Sequence, residues 1–153
     1  MDEILFLDEN LNDDIEPVLN FAKMELLIRQ KKLSEAESLL QSGLSTLESH
    51  PIADDFQFKI AEIQRDFGRY DESIESYQIL ISLYPTSSLA EKSFLAVGNI
   101  YADNLKDYDR AIARFSLFLL EFPQSTKLGE IREKIRALQK LNSPGIGGTP
   151  FPF

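Results

Sequence analysis

The chain has 153 residues, 43% hydrophobic and 27% charged, with a formal net charge of −9 and no cysteine. That length builds one domain with a sizeable core, and without cysteine neither a disulfide framework nor a thiolate metal site can form. The acidic balance repels phosphate backbones and disfavours nucleic-acid binding, and no apolar run approaches the roughly 20 residues of a membrane span.

Charge and hydrophobicity are unevenly spread from the start. Residues 1–16 hold seven acids and no base, the remainder 18 acids against 16 bases, and only 127–140 leans basic, with five bases against two acids. Residues 1–13 read as an acidic lead-in around a short apolar knot, Ile4, Leu5, Phe6 and Leu7. No basic region precedes the knot, so the stretch does not read as a signal peptide. Asp13 or Asp14 can cap a first helix that runs to about Gln30, with Pro17 in its first turn. Its middle (Val18, Leu19, Phe21, Ala22, Met24, Leu26, Leu27, Ile28) is apolar on more than one side, where a surface helix shows one stripe. The second apolar face needs a cover: the 4–7 knot, an upstream repeat, or a partner.

Ser34 caps a second helix, with Glu37 three residues on as in a capping box, and His50-Pro51 ends it. A third helix is capped by Asp54 or Asp55 and turns Phe56, Ile60, Ile63 and Phe67 inward; Gly68 supplies a left-handed stop. Asp71 starts a fourth (Ile74, Tyr77, Ile79, Leu80, Leu83), Ser87 or Ser88 a fifth (Phe94, Val97, Gly98, Tyr101) and Asp107 or Asp109 a sixth (Ala111, Phe115, Phe118, Phe122). A seventh, about 125–141, has one apolar stripe (Leu128, Ile131, Ile135, Leu138) and a charged outer face, as the end of a repeat stack requires. Strand-like alternation and hairpin dipeptides are absent. After Asn142 the sequence SPGIGGTPFPF cannot continue a helix.

The stretch 67–85, FGRYDESIESYQILISLYP, recurs at 105–123 as LKDYDRAIARFSLFLLEFP; Tyr70 matches Tyr108 and Pro85 matches Pro123, both 38 residues on. A two-helix repeat of this length implies an α-solenoid, and solenoids usually bind rather than catalyse.

At these residues the chain resembles the tetratricopeptide repeat (TPR) family. The third unit carries Phe94, Val97, Gly98, Tyr101, Tyr108, Ala111, Phe115 and Pro123 at the family's positions, with one extra residue at the turn. The second carries Ala61, Gly68, Tyr70, Ser73, Tyr77, Leu80 and Pro85, with Gln57 and Gln64 in place of large residues. The first, the most divergent, carries Met24, Leu27, Leu33, Ala36, Leu40 and Gly43. The resemblance implies an all-α, right-handed solenoid of three helix–turn–helix units (about 14–51, 52–86 and 87–123), a capping helix at 125–141 and a Pro/Gly-rich tail at 142–153. It implies a protein–protein interaction scaffold or subunit of an assembly, with no cofactor and no enzymatic activity. Alternatives are a homo-oligomerisation module, joined through the first helix and the 4–7 knot, or the C-terminal fragment of a longer TPR protein. The Tyr-Pro and Phe-Pro closures are similar to repeats of bacterial envelope proteins, such as outer-membrane assembly lipoproteins and the Tol–Pal coordinator. A lipobox cysteine is absent, so lipid anchoring does not carry over. The expected compartment is cytoplasmic, or periplasmic if the chain belongs to a longer envelope protein.

In a TPR solenoid the first helix of each unit lines the concave face. One register there repeats at 37 residues: Phe21, Phe58, Leu95. Four residues on stand Glu25, Glu62 and Asn99, and three further on Ile28, Arg65 and Ala102. This predicts an apolar ladder beside a mildly acidic stripe, suited to a peptide or helix with apolar anchors and some basic character. The alternative is that the ladder packs as core between neighbouring first helices, since apolar residues at helical spacing are usually buried. The Lys/Asn set that clamps a C-terminal carboxylate is missing. Phe151 and Phe153 form a second candidate, a tail that docks in a groove; the alternative is a loose tail.

Other chemistry finds little support. Asp8, Asn10, Asn12 and Asp14 alternate like half a calcium loop, but Asp13 stands where Gly is needed and Leu19 where the bidentate Glu belongs. The glycines at 145–148 lack a phosphate-loop Lys and a following helix. The single histidine, His50, builds neither a multi-His metal site nor a catalytic triad by itself.

Overall fold

The computed structural model describes residues 15–44 and 52–142. The expectations for the 4–7 knot, the Asp13 or Asp14 cap, the calcium-like run, His50, Phe151 and Phe153 lie outside the described residues. Among these there are seven α-helices and no strand: α1 (Ile15–Arg29), α2 (Leu33–Leu44), α3 (Ala53–Asp66), α4 (Tyr70–Leu83), α5 (Ser88–Asn99), α6 (Tyr108–Glu121) and α7 (Leu128–Asn142). A single π-helical segment, Ile100–Asn104, extends α5. No helix among the described residues is long and apolar enough to cross a membrane. Contacts divide the chain into two compact units, residues 1–96 and 97–153, with the division inside α5.

In the first unit α1 packs on α2, α2 on α3, and α3 on α4. Phe21, Met24, Ala36, Leu40, Ile52, Phe56, Ile60 and Ile63 make its core. The turns inside both helix pairs close alike. Lys31 N–H donates to Ile28 O and Lys32 N–H to Leu27 O, both at 2.9 Å; Gly68 N–H donates to Arg65 O and Arg69 N–H to Gln64 O, also at 2.9 Å. These are paired 5→2 and 6→1 bonds around a left-handed residue. Gly68 adopts φ +75° as expected, and Lys31 adopts φ 59° in the same role despite its Cβ. Gly43 lets α2 approach α3: a Cβ there would sit 2.5 Å from Cε1 of Phe56.

Three helix starts differ from expectation. Helix α2 begins at Leu33, so Ser34 falls inside the first turn, and the Glu37 carboxylate reaches out to Arg69 at 2.5 Å. Ile52 is the N-cap of α3 and no side chain caps it; Asp54 instead accepts from the Ser87 hydroxyl at 2.5 Å. Arg69 precedes α4, again without a side-chain cap, and Asp71 lies in the first turn. Acids in a first turn still complement the helix dipole, so these groups need not cap and are available for contacts elsewhere. Phe67, expected inward, is 44% exposed. It is the C-cap, beyond the last α3 residue, and its ring lies 5.1 Å from the Arg69 guanidinium carbon.

In the second unit α6 packs on the π-helical segment and on α7. Ala111, Phe115, Phe118, Ile131 and Leu138 are buried. Gly98 admits the Phe115 ring, whose Cε1 would be 2.5 Å from an added Cβ. Asp107 caps α6 as expected, accepting from Arg110 N–H at 3.0 Å. The extra residue of this repeat is not in the turn but in the helix before it: Leu105 N–H reaches back to Ile100 O at 3.0 Å, and Asp107 N–H to Tyr101 O at 2.8 Å. A π-helical segment absorbs one inserted residue while keeping the helix continuous. Lys106, at φ 55°, then takes the left-handed place.

Candidate functional site

The expected concave register runs along one side of α3. Phe58, Lys59, Glu62 and Arg65 follow one another at helical spacing, and all four are half-buried. The Phe58 ring meets the Tyr77 ring edge-on, with centroids 5.4 Å apart and planes at 64°. Glu62 Oε2 pairs with Lys59 Nζ at 3.0 Å, and Lys59 also reaches Glu25 Oε1 of α1 at 3.4 Å. The two acids of the stripe are therefore joined through one cation. Burial acts to lower the Lys59 pKa, but the hydrogen bond and charge of Glu62, reinforced by Glu25, outweigh it and hold the ammonium above its ordinary range. Arg65 turns to its neighbour Asp66, with Nη2 at 3.0 Å from Oδ1.

Phe21, first of the apolar ladder, lies in the core with its ring centroid 5.4 Å from that of Phe56. Leu95 of α5 is half-buried. In the second unit Asn99 is engaged by α7: Lys134 Nζ donates to its Oδ1 at 2.6 Å and lies 5.5 Å from the Phe115 ring centroid. The structure thus ties Glu25 to Glu62, sets Phe58 on Tyr77, and couples Asn99 to the final helix.

Two residues outside the repeat register, Lys59 and Tyr77, take part in this face. Lys59 stands three residues before Glu62, a spacing that forms ion pairs on helices, so a signal was present. By sequence Tyr77 is one of the apolar positions of the fourth helix. It is fully buried, and its hydroxyl has no hydrogen-bond partner among the described residues. Burial first of all pushes its phenol well above the ordinary range, with Glu62 and Asp66 adding to the rise and Arg65 opposing it. Its hydroxyl therefore senses the same charged residues that line the α3 face. Among the described residues no three His, Asp or Glu side chains converge as a metal site would need.

No curated protein matches the chain. Residues 55–87 and 92–125 match the tetratricopeptide repeat family. The first match spans nearly all of α3 and α4, and the second takes in most of α5, the π-helical segment and α6. The expected first unit, about 14–51, lies outside both matches. Through these two segments the chain carries tetratricopeptide repeats in an all-α solenoid fold, a kind of fold that generally mediates contacts between proteins.

Proposed function

We propose that the chain is an interaction subunit that holds a partner peptide or helix against the α3 face, through Phe58, Glu62 and Arg65, with Leu95 continuing the register. The observation that carries this reading is the Lys59 clasp, with Nζ 3.0 Å from Glu62 and 3.4 Å from Glu25. It leaves charged groups ordered but only half-buried beside the apolar Phe58. A partner cation can exchange with Lys59 for the same carboxylates, while a partner apolar side chain packs on Phe58. Glu25, Lys59 and Glu62 together carry one net negative charge, so apolar anchors contribute more to affinity than charge does. The Tyr84-Pro85 and Phe122-Pro123 closures support a bacterial envelope-type assembly as the setting.

The test is capture of partners by the intact chain from its source proteome, repeated with Phe58→Ser plus Leu95→Ser and, separately, with Glu62→Lys. Loss of the same captured protein in both variants, with helical circular dichroism retained, is the expected result. Retained capture by a folded Phe58→Ser, Leu95→Ser chain overturns the reading. If that chain unfolds, the Glu62→Lys result decides, because Glu62 is half-buried and outside the apolar core.

A further inference from the structure

Beyond the α3 face, α1 carries an open apolar line. Ile15, Leu19 and Leu26 are 57%, 62% and 54% exposed. With exposed Ala22 they fall at i, i+4, i+7 and i+11, one line along a helix. The buried residues of α1, Pro17, Val18, Phe21 and Met24, lie away from it. Thirty-seven residues on, the same register holds Ile52, Phe56, Lys59 and Ile63. There Ile52, Phe56 and Ile63 are 0%, 0% and 2% exposed, packed in the core with Leu40 and Phe21. These are packing positions on a first helix, and on α1 they stand open.

We propose that this line on α1 is the docking surface for the chain's own lead-in, residues 1–14, with Ile4, Leu5, Phe6 and Leu7 as the apolar anchors. Reach supports this occupant. The lead-in joins the helix at Ile15, the first residue of the line. From Ile15 to Leu26 the line is about 16 Å long at roughly 1.5 Å per residue. The chain from Leu7 to Ile15 can extend to about 26 Å, so the anchors can lie anywhere along it. Charge supports it as well. The lead-in holds Asp2, Glu3, Asp8, Glu9, Asp13 and Asp14 and no base. The line is flanked by the exposed basic residues Lys23 and Arg29, with Lys31 just beyond, and by one exposed acid, Glu16. An apolar knot bordered by acids thus meets an apolar line whose flanks carry more bases than acids. Tethering adds a high effective concentration that a second copy or a separate protein lacks.

The chain has no cysteine, so engineered pairs report without background. In the full chain, Phe6→Cys is combined in turn with Leu19→Cys, with Leu26→Cys, and with Leu83→Cys, an exposed residue of α4, as control. Under mild oxidation at low micromolar concentration, at least one α1 pair should close within the chain about tenfold faster than the control. About 0.5 M salt should slow it by screening the flanking charges. Equal rates for all three pairs overturn the proposal. Disulfides between chains also overturn it and assign the line to a second copy. As a second measurement, Ile4→Asp with Phe6→Asp should raise binding of an apolar-surface dye several-fold. Unchanged dye binding overturns the proposal too.

Discussion

Replacing Tyr77 with Phe tests how the floor beneath Phe58 is built. The side chain is 0% exposed and its hydroxyl finds no partner among the described residues. An unsatisfied buried hydroxyl costs about 1–3 kcal/mol. Tyr77→Phe removes that cost, keeps the ring contact with Phe58, and leaves only a gap the size of one oxygen. The variant should therefore gain about 1 kcal/mol at pH 8, with an unchanged denaturant slope. The pH dependence gives an independent reading. Burial raises the folded-state phenol above its ordinary 10.0. The unfolded chain then ionises near pH 10 while the folded one stays protonated. The stabilisation from the raised value is full below pH 10 and is lost as pH rises through the folded-state value. The loss from this one group has a slope of up to about 1.4 kcal/mol per pH unit. Denaturation followed by circular dichroism at pH 8, 10 and 11 measures both effects. The two proteins differ only at residue 77, so the difference between their pH profiles isolates Tyr77. A variant that loses more than about 1 kcal/mol, or that keeps the full alkaline loss, refutes the reasoning.

The glycines separate by what surrounds them. Gly98→Ala should cost about 1–2 kcal/mol by thermal or chemical denaturation, because three atoms of the buried Phe115 ring lie at 2.5, 2.8 and 2.9 Å from the new Cβ and outweigh the gain in helix propensity. Gly129→Ala on α7 meets nothing within 4 Å and should gain up to about 1 kcal/mol. Arg69→Ala should cost about 2 kcal/mol, since it strands Glu37, whose side chain is only 12% exposed. Glu72→Ala removes the same arginine's other partner, 55% exposed, and should cost about 0.5 kcal/mol or less.

The helical plan was legible because it rests on local signals. Apolar spacing located every described helix, and Gly68 and Asp107 marked a stop and a start through chemistry within a few residues of themselves. What the sequence hid was non-local. Ser34 and Glu37 form a capping pattern on paper, yet Glu37 is drawn to Arg69, 32 residues away. Comparison with the family's pattern puts the inserted residue of the third repeat at the turn. The helix instead takes it up between Ile100 and Asn104, where continuous backbone hydrogen bonding survives. The candidate face was half legible. Repeat register singled out Glu25 and Glu62, but not that Lys59 would join them, because a cross-helix ion pair depends on how α1 and α3 approach. The fates of Phe21 and Phe58, equivalent by register, were not separable from spacing: one lies in the core, the other stays half-buried.

The departures of the second repeat from its family's pattern bear on that same face. Gln57 and Gln64 stand where large residues are usual, and both are buried. Gln57 Nε2 donates to Ser76 O at 2.9 Å, the Ser76 hydroxyl donates to Gln64 Oε1 at 2.7 Å, and the Ser73 hydroxyl donates to Ala61 O at 2.7 Å. Apolar side chains between two helices tolerate small rotations, because dispersion contacts are non-directional. Hydrogen bonds in a buried seam do not, since a small rotation leaves an amide unpaired at a cost of about 1–3 kcal/mol. Gln57 immediately precedes Phe58, and Gln64 immediately precedes Arg65. Fixing the two amides against α4 therefore fixes the direction in which Phe58, Glu62 and Arg65 leave the helix. The residues that make this repeat atypical are those that orient its exposed side.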